Sequence, residues 1–137
     1  MRIEGESSLV SFDAETATER ARDVTGDALN TVVEYRGDEW QALFVASETV
    51  EKYGGLEETY DVTDELHRSL RLDLQERELY SDLLVDVGNL RAFVLVFDDL
   101  TVIRYTKGHE GLYVALEPEA NVRRVIAALR PVMSDAE

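Results

Sequence analysis

From Leu90 to Leu116 the apolar positions fall in short runs of β-branched and aromatic residues, at 92–97, 101–105 and 112–116. Asp98-Asp99 and Lys107-Gly108-His109-Glu110-Gly111 separate them, and the pattern predicts a three-strand meander. The first run is apolar at every position. Phe93, Leu95 and Phe97 point to one face, and Ala92, Val94 and Val96 to the other. A strand with one wet face alternates, so this run predicts cover on both of its faces.

Upstream the period changes. Val10, Ala14, Ala17, Ala21 and Val24 recur at helical spacing and predict a helix over 7–24, capped by Ser11 or Asp13 and ended by Thr25-Gly26. Residues 31–35 and 40–46 predict an antiparallel hairpin closed by Arg36-Gly37-Asp38-Glu39. A short helical turn over 48–53 follows Ser47 as its cap, Gly54-Gly55 breaks it, and 56–62 reads as acidic and irregular. Leu66, Leu70, Leu74 and Leu83 or Leu84 predict a helix over 64–84, capped by Thr63, with Asp73 or Tyr80-Ser81 as points of interruption. Asp86-Val87-Gly88-Asn89 turns into the meander. Val122, Val125, Ile126, Leu129 and Met133 mark the apolar face of a last helix. Pro118 and Glu119 are expected to open it, and Pro131 to weaken or end it. The order is helix, two strands, helix, three strands, helix: α+β, with a five-stranded antiparallel sheet. A chain of 137 residues suits a single domain over 1–137 with one core.

Composition narrows the class. Hydrophobic residues make up 45%, too many for a disordered acidic chain. No apolar run reaches the ~18 residues of a membrane span, and the start of the chain lacks the layout of a signal peptide, so a cytoplasmic protein without membrane contact is expected. Cysteine is absent, which excludes disulfides, thiolate metal sites and Cys nucleophiles. The formal net charge is −15, and of 14 basic residues only Lys52 and Lys107 are lysines. Dispersed carboxylates with few lysines are the pattern of a halophilic cytoplasm, where acidic surfaces hold water and keep proteins soluble. An acidic chain without a basic stripe excludes nucleic acid as an expected partner.

Two resemblances add to this reading. Leu29-Asn30-Thr31-Val32-Val33-Glu34-Tyr35, followed by Glu39-Trp40-Gln41-Ala42-Leu43-Phe44-Val45, resembles the N-terminal hairpin of a family of small haloarchaeal proteins. Val87-Gly88-Asn89-Leu90-Arg91-Ala92 is similar to the second half of that family, which brings no known activity. The α-β-β-α-β-β-β-α order resembles the roadblock (dynein light-chain-like) domain within the profilin-like group. That resemblance implies a homodimer and a platform for a small GTPase, as analogy of topology alone.

Candidate chemistry is sparse. His67 and His109 are the only histidines. His109-Glu110 and Asp98-Asp99 are four residues from which a metal or acid–base site can be drawn. Asp and Gly are equally good turn residues, and hairpin ends are polar by default, which favours the turn reading. His67 has Asp64 at i−3 and Arg71 at i+4, a spacing that suits surface ion pairs at least as well as catalysis. Arg68, Arg71 and Arg77, interleaved with Asp73, Glu76 and Glu78, read as a mixed solvated face. Tyr35 and Trp40 flank the hairpin turn and suit cross-strand packing better than ligand stacking. Arg36-Gly37-Asp38 matches an adhesion tripeptide by letters only. No nucleophile elbow, phosphate loop or dinucleotide fingerprint occurs. The expectation is a non-enzymatic interaction or regulatory module without cofactor or catalytic residue, joined as a homodimer through Phe93, Leu95 and Phe97. The alternative is a sensor domain holding a small molecule between sheet and helices.

Overall fold

Strand alternation sends the two faces of one sheet into two different environments. The computed structural model describes residues 3–70, 83–84 and 86–133, and the side chain of Leu70 is not among those described. The strands are β1 (Ile3–Glu4), β2 (Leu29–Arg36), β3 (Glu39–Val45), β4 (Ala92–Val96), β5 (Thr101–Lys107) and β6 (Glu110–Leu116). They form one antiparallel sheet in the order β1-β3-β2-β6-β5-β4. The helices are α1 (Ala14–Thr25), α2 (Ser47–Lys52), α3 (Leu56–Leu70) and α4 (Val122–Met133).

On one face Val32, Ile103, Leu112, Val114 and Leu116 meet Ala14, Ala17 and Ala21 of α1 and Val125, Leu129 and Met133 of α4. The alanines let α1 lie close to the sheet. The opposite face gathers Val33, Tyr35, Ala42, Val45 and Tyr113, with Val50 from α2. Tyr35 faces Gly111 across the β2–β6 ladder. A Cβ at Gly111 would stand 2.7 Å from the Tyr35 hydroxyl and 2.9 Å from its ring, so only glycine admits that ring.

Several expected boundaries shift. The sheet has six strands rather than five, because the two-residue β1 pairs with the outer edge of β3, a strand too short to leave a periodicity. α1 starts at Ala14, where the Asp13 side chain accepts from the Thr16 N–H at 3.0 Å. Ser47 lies inside α2, and its N-cap, Ala46, makes no side-chain cap bond. The stretch expected to be irregular, 56–62, is the first half of α3. Thr63 is therefore mid-helix, its hydroxyl bonded to the Thr59 carbonyl at 2.9 Å, and caps nothing. The expected helix residues 71–82, with Leu74, lie outside the described residues, while Leu83 and Leu84 are exposed. α4 starts at Val122, past Pro118 and Glu119, with Asn121 accepting from the Arg124 N–H at 3.2 Å. It runs through Pro131 to Met133, where burial of Met133 holds the last turn.

Candidate functional site

β4 occupies the edge of the sheet, beside β5. Arg91 accepts from the Thr106 N–H at 2.8 Å, and the Phe97 N–H donates to Leu100 at 2.7 Å. Backbone groups of an antiparallel strand alternate in direction, so Ala92, Val94 and Val96 turn their N–H and C=O groups outward. No described strand pairs with that side. Phe93 and Leu95 are half-buried over Arg104 and Val102, their partners on β5. Val94, Val96 and Phe97 are 40%, 74% and 56% exposed. The described residues cover this run only in part: Ala92 packs against the main core and Phe93 lies beside Arg104, while Val94, Val96 and Phe97 stay exposed.

Under α3 the second face of the sheet carries a polar cluster. Arg104 is fully buried, its guanidinium carbon 5.5 Å from the Tyr35 ring centre and 5.8 Å from those of Phe93 and Tyr113. Aromatic faces suit a planar cation removed from water. His67 is also buried, which corrects the expectation of a surface ion pair with Asp64 and Arg71. Its Nδ1 lies 2.7 Å from the Tyr113 hydroxyl and its Nε2 2.8 Å from the Gly37 carbonyl oxygen. Arg71 lies outside the described residues; Asp64 pairs instead with Arg68 and accepts the Trp40 indole N–H at 2.9 Å. The Arg68 bond, then the Trp40 bond, hold the Asp64 carboxyl below its ordinary range. Loss of solvation and the Arg104 charge depress the His67 imidazole, against the Gly37 hydrogen bond and Asp64. Trp40 packs edge-on to Tyr60 of α3, so Trp40 and Tyr35 both serve packing.

The other face holds two buried carboxylates, Glu34 and Glu110, in a strapping role that the sequence did not suggest for either. Glu34 accepts from the Ser7 hydroxyl at 2.7 Å and from the Ser8 and Leu9 N–H groups at 2.9 and 3.3 Å. Glu110 accepts from the Ser11 N–H at 3.0 Å and from the Ser11 hydroxyl. They strap the segment before α1 onto the sheet. An alternating strand with a carboxylate at one inward position looks like a strand with one wet face, so no sequence signal marks them.

The four residues considered for metal or acid–base chemistry are not brought together. Asp98-Asp99 precedes β5 and His109-Glu110 follows it, so the length of β5, about 20 Å, separates the pairs. His109 is exposed, and Glu110 is committed to Ser11. Among the described residues no group of three or more His, Asp or Glu is arranged to hold a metal ion. Arg36 and Asp38 flank Gly37 in the β2–β3 turn, where Gly37 has a φ of +57° and its N–H donates to the His109 carbonyl at 2.9 Å. Of the arginines expected on a solvated face, Arg68 is exposed, and Arg71 and Arg77 lie outside the described residues. An open cleft of about 860 Å³ lies at one end of the sheet, lined by seven carboxylates, Arg22 and Lys52. Among the described residues no helix is long and apolar enough to cross a membrane.

A family model described as a domain of unknown function, DUF7522, matches residues 15–134. The chain belongs to the DUF7522 family. No match was found among functionally curated proteins. In structure this DUF7522 chain is similar to a Roadblock/LC7 domain from Streptomyces avermitilis, with 13% identity, a TM-score of 0.59 and 92% of each chain covered. It is also similar to the gliding protein MglB from Thermus thermophilus, with 14% identity, a TM-score of 0.53, and 94% of this chain and 98% of the other covered. The expected roadblock-like α+β architecture is therefore the fold of this DUF7522 member.

Proposed function

We propose that this chain is a non-enzymatic protein-interaction module of a halophilic cytoplasm that works as a homodimer joined through β4. The observation that carries the reading is an apolar edge strand whose outward backbone groups meet no described strand. Such an edge aggregates unless it is covered, and between Ala92 and Phe97 there is no Lys, Pro or charge to protect it. Antiparallel pairing with a second copy across a two-fold axis satisfies the outward groups of Ala92, Val94 and Val96 and continues the sheet. Phe93 and Leu95 then line the junction on one face. Phe97, Val94 and Val96 have the most surface left to bury, at roughly 1.5–3 kcal/mol for each fully covered side chain before entropy is counted. Likeness of fold to roadblock domains supports the interaction reading, and the partner class it implies is a small GTPase.

Light scattering in molar KCl tests the assembly, with Leu95→Lys and Val96→Lys as comparisons. Wild type is expected at twice the 15.5 kDa chain mass and both variants at the chain mass. Val96 is largely solvent-facing in the single chain, so Val96→Lys keeps the fold even where Leu95→Lys does not. A wild-type monomer throughout the micromolar range ends the dimer model.

A further inference from the structure

The two helical layers are fastened to the sheet by different chemistry. α1 and α4 bury aliphatic side chains against it. Among the described side chains of α3, the two that are buried are Thr59 and His67. Thr59 spends its hydroxyl within the helix, on the Gly55 carbonyl. Among the described residues, hydrogen bonds of His67 to Tyr113 and Gly37, and of Asp64 to Trp40, tie α3 to the sheet. We propose that α3 is a pH-responsive layer, pinned to the sheet by neutral His67 and loosened when that ring takes up a second proton.

The geometry fixes the tautomer. A carbonyl oxygen only accepts, so Nε2 carries the ring proton and donates to Gly37. Nδ1 then presents its lone pair and accepts from the Tyr113 hydroxyl. A second proton would arrive at Nδ1. Tyr113 can rotate its hydroxyl and accept it, so the number of hydrogen bonds is not what opposes the charge. The surroundings do. From β5 comes the buried Arg104 guanidinium, from β2 and β6 the Tyr35 and Tyr113 phenols, and from the hairpin turn the Gly37 carbonyl. From α3 itself come Asp64, already shared between Arg68 and Trp40, and Arg68. Asp64 and the carbonyl favour an imidazolium. Removal from water and the Arg104 charge oppose it and prevail.

The sign follows. With α3 released, His67 is hydrated and titrates near the ordinary value of about 6.5; docked, it titrates lower. Above that ordinary value both states are neutral and docking is at full strength. As pH falls below it, the released state binds the proton and the docked state does not. The ratio of released to docked α3 therefore rises by up to about tenfold per pH unit, until the docked ring titrates in turn.

The chain supplies its own reporter. Trp40 is the only tryptophan, and it touches α3 through Asp64 and Tyr60. Tryptophan emission is followed from pH 8 to pH 5 at constant salt, with far-UV circular dichroism as a check on the sheet. The Asp64 carboxyl titrates below this window. Wild type is expected to shift its emission below about pH 6.5 with its sheet signal intact. His109→Gln removes the exposed histidine and keeps the response; His67→Gln, a neutral side chain able to donate to Gly37, abolishes it. Imidazole NMR of the wild type keeps the test independent of variant folding. His67 is expected to titrate below the ordinary imidazole value and together with the change at Trp40. A flat emission profile, a shift that persists in His67→Gln, or His67 titrating with no change at Trp40 would each overturn the proposal. None of these readouts depends on the β4 dimer.

Discussion

Gly111 shows how one residue can set a whole layer. Its missing side chain lets Tyr35 lie across β6, and Tyr35 in turn packs 4.9 Å from Tyr113, ring centre to ring centre. Those two rings flank His67 and Arg104. A methyl group at 111 has no room, because backbone as well as ring stands against it. Gly111→Ala is expected to cost about 1–3 kcal/mol, the range for forcing volume into a packed interior. Thermal unfolding reads this as a lowered midpoint, and near-UV dichroism reads the disturbed tyrosines. A variant as stable as wild type would mean that Tyr35 is not held by contact at this position. His67 carries the opposite lesson: a lone histidine on a polar helix suggested a solvated ion pair, and the residue is a buried pin.

Among the elements, the helices divide into a firmly seated pair and a polar-pinned one. α1 and α4 share an aliphatic core with the sheet, while the described buried side chains of α3 are one threonine and one histidine. Local opening follows the apolar area that must be exposed. Hydrogen exchange at neutral pH is therefore expected to protect amides of α1 and α4 more than those of α3, by about tenfold for each 1.4 kcal/mol of difference in opening energy. Equal protection in both layers would refute the asymmetry. The same contrast explains why the start of α3 escaped periodicity. Leu56, Tyr60 and Val62 are exposed, so its apolar residues trace no inward stripe.

For the whole molecule, the formal charge of −15 sits on a chain of 137 residues, and mutual repulsion opposes compaction at low salt. Salt shortens the Debye length from about 10 Å at 0.1 M to about 3 Å at 1 M. The melting temperature is expected to rise as KCl increases over that range, and a scan at several concentrations checks it; a fall with salt would contradict the halophile reading. What the sequence by itself determined is the set of elements with strong local signals: the meander, the β2–β3 hairpin, the apolar face of α4 and the order that matches a roadblock fold. Each is written within one turn or one pleat, where apolar period, Gly and Asp act directly on neighbouring backbone. Tertiary structure alone decided which polar residues are buried. His67 finds Tyr113 46 positions away and Gly37 30 away, Ser11 finds Glu110 99 away, and Ser7 finds Glu34 27 away. Whether a polar side chain is buried depends on a partner brought from afar to satisfy it, and no local period records that partner.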